Sequence, residues 1–515
     1  MSHPQSSRTS FRFANPLKGA HPAAWQSQFR GCSRMACSVA AIAVVAALAG
    51  CADMGRVDAP APSVGATEAG LPAADGAPVA AVDRQWWRAF GDPQLDRLVE
   101  QALQGNPNLQ VARARLEKAR AAVSATRAAE LPQVKGDLQV NRSLYSENYI
   151  YPDPLGGSIQ NTGLLQLGAS WELDFFGKNR AAIEAAVGNA RAAQADAEAA
   201  QVLLASNVAR SYLQWARLAA QRAVAERTLA QREETLRLVR DRVSAGLDTR
   251  LELRQSEGGL PEARQQIEAL DEQIAIAQHA IDALAARAAL AESMTAPALA
   301  ALQPIPLQPV LPADLLGRRA DIAAARWRAE AATHDVDYAR KQFYPNVNLT
   351  AFVGLQSLGL DNLLKSGSAQ WGVGPAVSLP IFEGGRLRAN LRAKAADRDA
   401  AIESYNAAVF DAVRDVADQV SSIRSIARQQ VQQRQAQTAA EGAYEIAVQR
   451  YGAGLGNYLN VLAAETAVLA QRRQAVDLAA RALDTQVALA RALGGGWQGE
   501  AGDQQAAAAA PTSSH

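Results

Sequence analysis

The chain has 515 residues, room for several ordinary domains or for one very elongated one. Lys and Arg total 52 against 51 Asp and Glu, and a net charge of +1 gives no reason to expect a nucleic acid partner. Aromatics make up only 5% while Ala and Gln abound, which suits long helices with thin seams better than a thick globular core.

The three cysteines, Cys32, Cys37 and Cys51, all lie near the N-terminus. A disulfide framework or a cysteine metal site in the body of the chain is thereby excluded. Arg30 and Arg34 precede an apolar run from Met35 to Leu48. That run is too short to cross a bilayer of ~30 Å as a helix, and with its basic flank it reads as a secretory signal. It ends in Leu48-Ala49-Gly50-Cys51, which resembles the bacterial lipobox. The resemblance implies cleavage before Cys51 and acylation of its thiol, with Ala52 favouring the outer membrane. Residues 1–50 are therefore expected to be signal and 51–84 a lipidated tether. Residues 499–515 are expected to be a disordered tail, because both Ala-rich end segments lack the apolar surface to fold alone.

The remainder repeats itself at an interval of roughly 200 residues. Leu131-Pro132-Gln133-Val134 matches Tyr344-Pro345-Asn346-Val347. Leu173, Phe176 and Arg180 match Leu379, Phe382 and Arg386; Arg242, Gly246, Leu247 and Leu251 match Arg450, Gly454, Leu455 and Leu459. The first repeat is placed at 85–300, with strands at about 133–142 and 163–175, a long helix at 180–244 and a returning helix at 249–287. The second is placed at 301–498, with strands at about 345–354 and 370–381, a long helix at 386–452 and a returning helix at 457–493. The strands alternate apolar and polar residues and have the length a tilted membrane strand needs, although a soluble half-buried sheet alternates in the same way. In the second long helix Ile402, Tyr405, Val409, Val413, Val416, Val420 and Ile423 step by three and four, a coiled-coil seam. Gly246 and Gly454 are expected to close the long helices in the left-handed conformation. Gly258, Gly259 and Pro261 are expected to kink the first returning helix.

Four membrane strands cannot close a barrel, since the smallest natural barrels have about eight. An open edge in lipid leaves backbone groups unpaired, so the chain should share its barrel with other copies. No Gly-rich phosphate loop follows a strand, and His3, His21, His279, His334 and His515 form no ligand pattern. Catalytic residues and metal ligands are not expected, nor is any cofactor beyond lipid on Cys51. Trp171 and Trp371 suit either an interfacial aromatic belt or packing within the wall.

Several motifs carry a specific resemblance. Trp86-Trp87-Arg88-Ala89-Phe90-Gly91-Asp92-Pro93-Gln94-Leu95, Asn106-Pro107-Asn108-Leu109, Leu311 to Ile322 (with Ala320 where Pro is usual), Phe343-Tyr344-Pro345 and Leu379 to Arg386 are similar to the outer membrane factor family of efflux channels, typified by TolC. The similarity is greater to the family's OprM-like lipoprotein branch. It implies an α+β membrane protein: a homotrimer whose twelve-stranded β-barrel, four strands per chain, continues into a long α-helical periplasmic barrel. It implies a periplasmic adaptor protein and an inner-membrane pump of the resistance-nodulation-division class as partners, and passive efflux without enzymatic activity. At the tip it implies a gate. Tyr451 matches a family tyrosine, Leu459 an apolar constriction, Asn460 and Ala463 positions often acidic, and Glu252 an acidic latch. Gly456 and Thr466 stand where a basic latch partner is usual, leaving Arg250 or Arg254 as substitutes. Protein export through a type I secretion system, and a lipid-tethered coiled-coil scaffold without a pore, are the competing readings.

Overall fold

The computed structural model describes Met54 and residues 59–71, 82–308, 314–497 and 499. The expected signal, the lipobox with Cys51, the tail beyond Gly499 and Leu311 to Ala313 of the central motif lie outside the described residues.

Helix α1 (Pro93–Gly105) starts where Asp92 accepts the Gln94 N–H and Pro93 supplies the preset first turn. Asn106 ends it and caps α2 (Pro107–Arg127) in the same way. Strands β1 (Gln133–Leu144) and β2 (Ile159–Leu173) follow, then α3 (Lys178–Ser244) and α4 (Arg250–Ala285). The second half supplies α5 (Ala320–Lys341), β3 (Asn346–Leu358), β4 (Ala369–Ser378), α6 (Arg386–Gly452) and α7 (Tyr458–Ala492). Strand β3 runs past the expected end at 354 because Leu355 and Leu358 still pair with Leu165 and Thr162. Strand β4 stops at Ser378, before the expected 381; Leu379, Pro380 and Ile381 follow, and Pro lacks the N–H a ladder needs.

The repeats meet in one antiparallel sheet ordered β1-β2-β3-β4, with β1 and β4 as edges. Register aligns the alternating faces. Val134, Ala169, Ala351 and Val373 form one row, and Gly136, Leu167, Val353 and Trp371 the next. Asp137, Gln166, Gly354 and Gln370 form a row of the opposite, polar face, where the Gln370 amide donates to Gln166. Phe352 lies so close over Gly372 that a Cβ there would sit 2.6 Å from its ring. The apolar face is bare: Leu138, Leu167, Val353, Trp371 and Val373 are all more than half exposed. A soluble sheet would cover that face with a helix, and this one does not. Trp371 and Trp171 both stand on the bare face, and the Trp171 indole N–H also donates to the Glu130 carbonyl at 2.8 Å.

Helices α3 and α6 have 67 residues each, so each rises about 100 Å. The main apolar core joins the Trp86–Phe90 turn and α1 to Val208, Tyr212, Leu213 and Trp215 of α3, Val409 and Val416 of α6, and Leu483 and Val487 of α7. A separate, smaller core at the far end holds Val239, Tyr444, Tyr451, Tyr458, Val461 and Val468. Among the described residues no helix is long and apolar enough to cross a membrane.

A further expectation needs correction. Part of the segment read as a tether is docked: Val64 N–H donates to Asn406 Oδ1 at 2.8 Å, Asn406 Nδ2 donates to the Pro62 carbonyl at 3.1 Å, and Ala69 and Leu71 are buried in the main core. Composition barred independent folding but not folding onto a partner surface. Helix α4 runs through Gly258, Gly259 and Pro261 as one element, with Pro261 inside it.

Candidate functional site

The two repeats end in paired turns. Helix α3 closes through Gly246 at φ 72°, with Leu247 N–H donating back to the Arg242 carbonyl at 2.9 Å and Gly246 N–H to Val243 at 3.0 Å. Helix α6 closes identically through Gly454 at φ 77°, with bonds from Leu455 to Arg450 and Gly454 to Tyr451. This paired bonding satisfies the last carbonyls of a helix and requires the left-handed residue that glycine supplies. The returning helices restart at once. Thr249 caps α4, and Asn457 caps α7 by accepting the Asn460 N–H.

Between the turns lies a three-residue clasp. Arg242 donates to Asp248 twice, from Nε at 2.9 Å and Nη2 at 3.3 Å. The Tyr451 hydroxyl, carried by the other repeat, donates to the same carboxylate. The Arg242 guanidinium also sits 4.6 Å over the Tyr451 ring, in cation–π range. Tyr451 is fully buried, and the side chains of Arg242 and Asp248 are 11% and 10% exposed. The Arg242 hydrogen bonds hold the Asp248 carboxyl below its ordinary range, with the Tyr451 bond adding to the effect. Burial, then the bond to Asp248, pushes the Tyr451 phenol upward. The clasp therefore persists as carboxylate, guanidinium and neutral phenol across neutral pH, joining α3, the first turn and α6.

Of the residues singled out by sequence, Tyr451, Gly246 and Gly454 lie in this arrangement. Leu459 and Asn460 are exposed on the first turn of α7, and Leu459 is 62% accessible. Within the chain Glu252 serves as a helix cap. Its carboxylate accepts the Thr249 N–H at 2.9 Å and bonds the Thr249 hydroxyl, a capping box that starts α4. These bonds, the hydroxyl first, lower its pKa. The suggested substitute Arg254 instead pairs with Glu257 at 3.1 Å. Asp248 and Arg242 were missed as a pair, though the sequence held a signal: an arginine and an acid six residues apart around a glycine turn. Only the first repeat has the acid, since Gly456 stands at the matching position and Arg450 bonds the Leu455 carbonyl instead.

A bare apolar sheet joined to paired long helices that end in a clasped tip matches a known architecture. The family model described as outer membrane efflux protein matches residues 98–287 and 311–495. The chain belongs to this family. It is 40% identical over 377 residues to the fusaric acid resistance protein FusA of Burkholderia cepacia, covering 69% of this chain and 68% of that one. It is 33% identical over 427 residues to the multidrug resistance outer membrane protein MdtQ of Escherichia coli O6:H1, covering 81% and 88%. Among solved structures, the outer membrane protein VceC of Vibrio cholerae superposes with a TM-score of 0.76 at 35% identity, covering 81% of this chain and 99% of that one. This chain is an outer membrane efflux channel protein whose helices form its periplasmic part.

Proposed function

We propose that three copies of this chain form a passive exit duct through the outer membrane, closed at the helical tip and opened by partners. The observation that carries the reading is the sheet: its apolar rows are in register and uncovered, and edges β1 and β4 are open. Three four-stranded sheets give twelve strands, enough to close a barrel with no unpaired edge in lipid. The polar rows would then line the lumen. The exposed Leu247, Leu251 and Leu455 make the tip the natural seat for a periplasmic adaptor, which would connect an inner-membrane pump of the resistance-nodulation-division class. Leu459 of the three copies would narrow the pore, excluding water and ions by dewetting. The names of FusA and MdtQ support small organic toxicants, drugs among them, as cargo. They favour this reading over protein export. Lipid on Cys51 would anchor the N-terminus, and no chemistry is required of the chain itself. Chemical cross-linking of the detergent-extracted full-length protein tests the assembly: the ladder should stop at three chains, and a stable monomer keeping its full β content would refute it.

A further inference from the structure

Well above the tip clasp, a second group of side chains ties the helices together. Arg232 of α3 donates from Nε to Glu465 of α7 at 2.7 Å. From Nη1 it donates to the Gly259 carbonyl of α4 at 2.7 Å and to Glu262 at 2.9 Å. Its side chain is 15% exposed and that of Glu465 is 9% exposed, so the α3–α7 pair is buried, while α4 is held through the Gly259 carbonyl and the solvent-facing Glu262, which is 72% exposed; together they form a belt across three helices.

The belt meets α4 where that helix is weakest. Pro261 has no N–H for the Glu257 carbonyl four residues back, and Gly258 and Gly259 are poor helix formers. Packing does not demand either glycine. A Cβ on Gly258 would meet nothing within 4 Å, and one on Gly259 would meet Arg232 Cδ at an ordinary 3.5 Å. Neither has a left-handed backbone. The second repeat lacks the device: Gly454 lies 208 residues after Gly246 (454 − 246), and that offset puts Thr466, Ala467, Val468 and Leu469 opposite Gly258 to Pro261.

On α3 the belt falls between the two apolar cores, with Arg232 between Ala225 and Val239, and on α7 Glu465 is a charge set among Val461 and Val468 of the tip core. The belt's other neighbours are polar: Arg472 donates to Glu441 and to Gln231 at 3.1 Å each, and Gln433, itself buried, donates to the Gln471 carbonyl at 2.7 Å. Close-packed apolar cores resist small shifts, whereas hydrogen bonds can re-form in a new register.

We propose that Gly258–Pro261 is the joint about which the tip portion of α4 swings when the channel opens, and that Arg232 is a second lock, holding that joint against α7 in the closed state. The inference rests on the gated-duct reading above and adds a moving part remote from the tip.

The test uses full-length protein in planar bilayers, with trimers checked on unheated gels. Asp248→Ala, which cuts the tip clasp, gives an open reference. Adding Gly258→Ala, Gly259→Ala and Pro261→Ala restores a regular helix and cannot clash, and it should reduce open occupancy by about fivefold or more. Arg232→Gln with Glu465→Gln removes both buried charges together and should raise occupancy about fivefold in an otherwise native chain. A stiffened α4 that opens as freely as the reference overturns the joint. An unchanged double glutamine variant overturns the lock and leaves Arg232 a packing residue. If Asp248→Ala itself yields no unitary steps, the gated-duct reading falls and the proposal with it.

Discussion

Asp248 is where a single substitution should do most to the closed tip. Replacing it with Ala removes the acceptor of two guanidinium hydrogen bonds and of the Tyr451 hydroxyl, leaving a largely buried cation and a fully buried phenol without it. Hydrogen bonds to charged groups contribute about 1.5–3 kcal/mol each. Water can take over most of the bonds the partners lose, because the adjoining Leu247 and Leu251 are 65% and 62% exposed, so the net loss is that of about one such bond. A loss of about 2 kcal/mol per chain would shift the closed-to-open ratio of each chain by about 30-fold. Tyr451→Phe removes only the hydroxyl and should shift it about fivefold, from a loss of about 1 kcal/mol. The main apolar core lies elsewhere, so both variants should assemble normally. Cells expressing each variant without its pump should become sensitive to a large hydrophilic antibiotic that the outer membrane normally excludes, in the order Asp248→Ala, Tyr451→Phe, native. Equal resistance at equal expression would refute the clasp as a closing element.

Three further outcomes follow from the same geometry. Because the folded Asp248 carboxyl titrates below its ordinary range, its contribution is complete above the unfolded value and is lost as pH falls through the folded one; conductance should stay flat from neutral pH to about 5 and rise only below about 4. A rise centred near pH 6 would point to a different group. Leu459→Ala should enlarge unitary conductance without altering this pH response, and no change would place the narrowest point elsewhere. Mass spectrometry of the mature protein should find Cys51 at the N-terminus carrying lipid, and an unmodified thiol would end the lipobox reading.

The fold was legible because its signals are long. Strand alternation, a Pro-free long helix and a repeat that keeps its order all extend over many residues, and register followed from the apolar pattern. The ends of β3 and β4 were misplaced by a few residues, since ladder pairing rather than local pattern decides where a strand stops. The site was less legible. Gly246 and Gly454 were readable because a left-handed turn needs glycine. Asp248 was not, because its meaning comes from Tyr451, which reaches it from 203 residues away. The capping role of Glu252 was legible but unread: Thr249 at the cap position, three residues earlier, was its local sign. The docked segment at Val64 escaped notice because its partner, Asn406, resembles any other polar residue of a long helix.

The account turns on a pore that several chains build and the helical tip closes. Unitary conductance of the purified full-length protein in a planar bilayer tests this most directly. Native protein should insert as discrete three-chain units of small conductance, and Asp248→Ala should insert as units of the same mass with larger steps. Conductance from single chains, or a native step already as large as that of the variant, would contradict it.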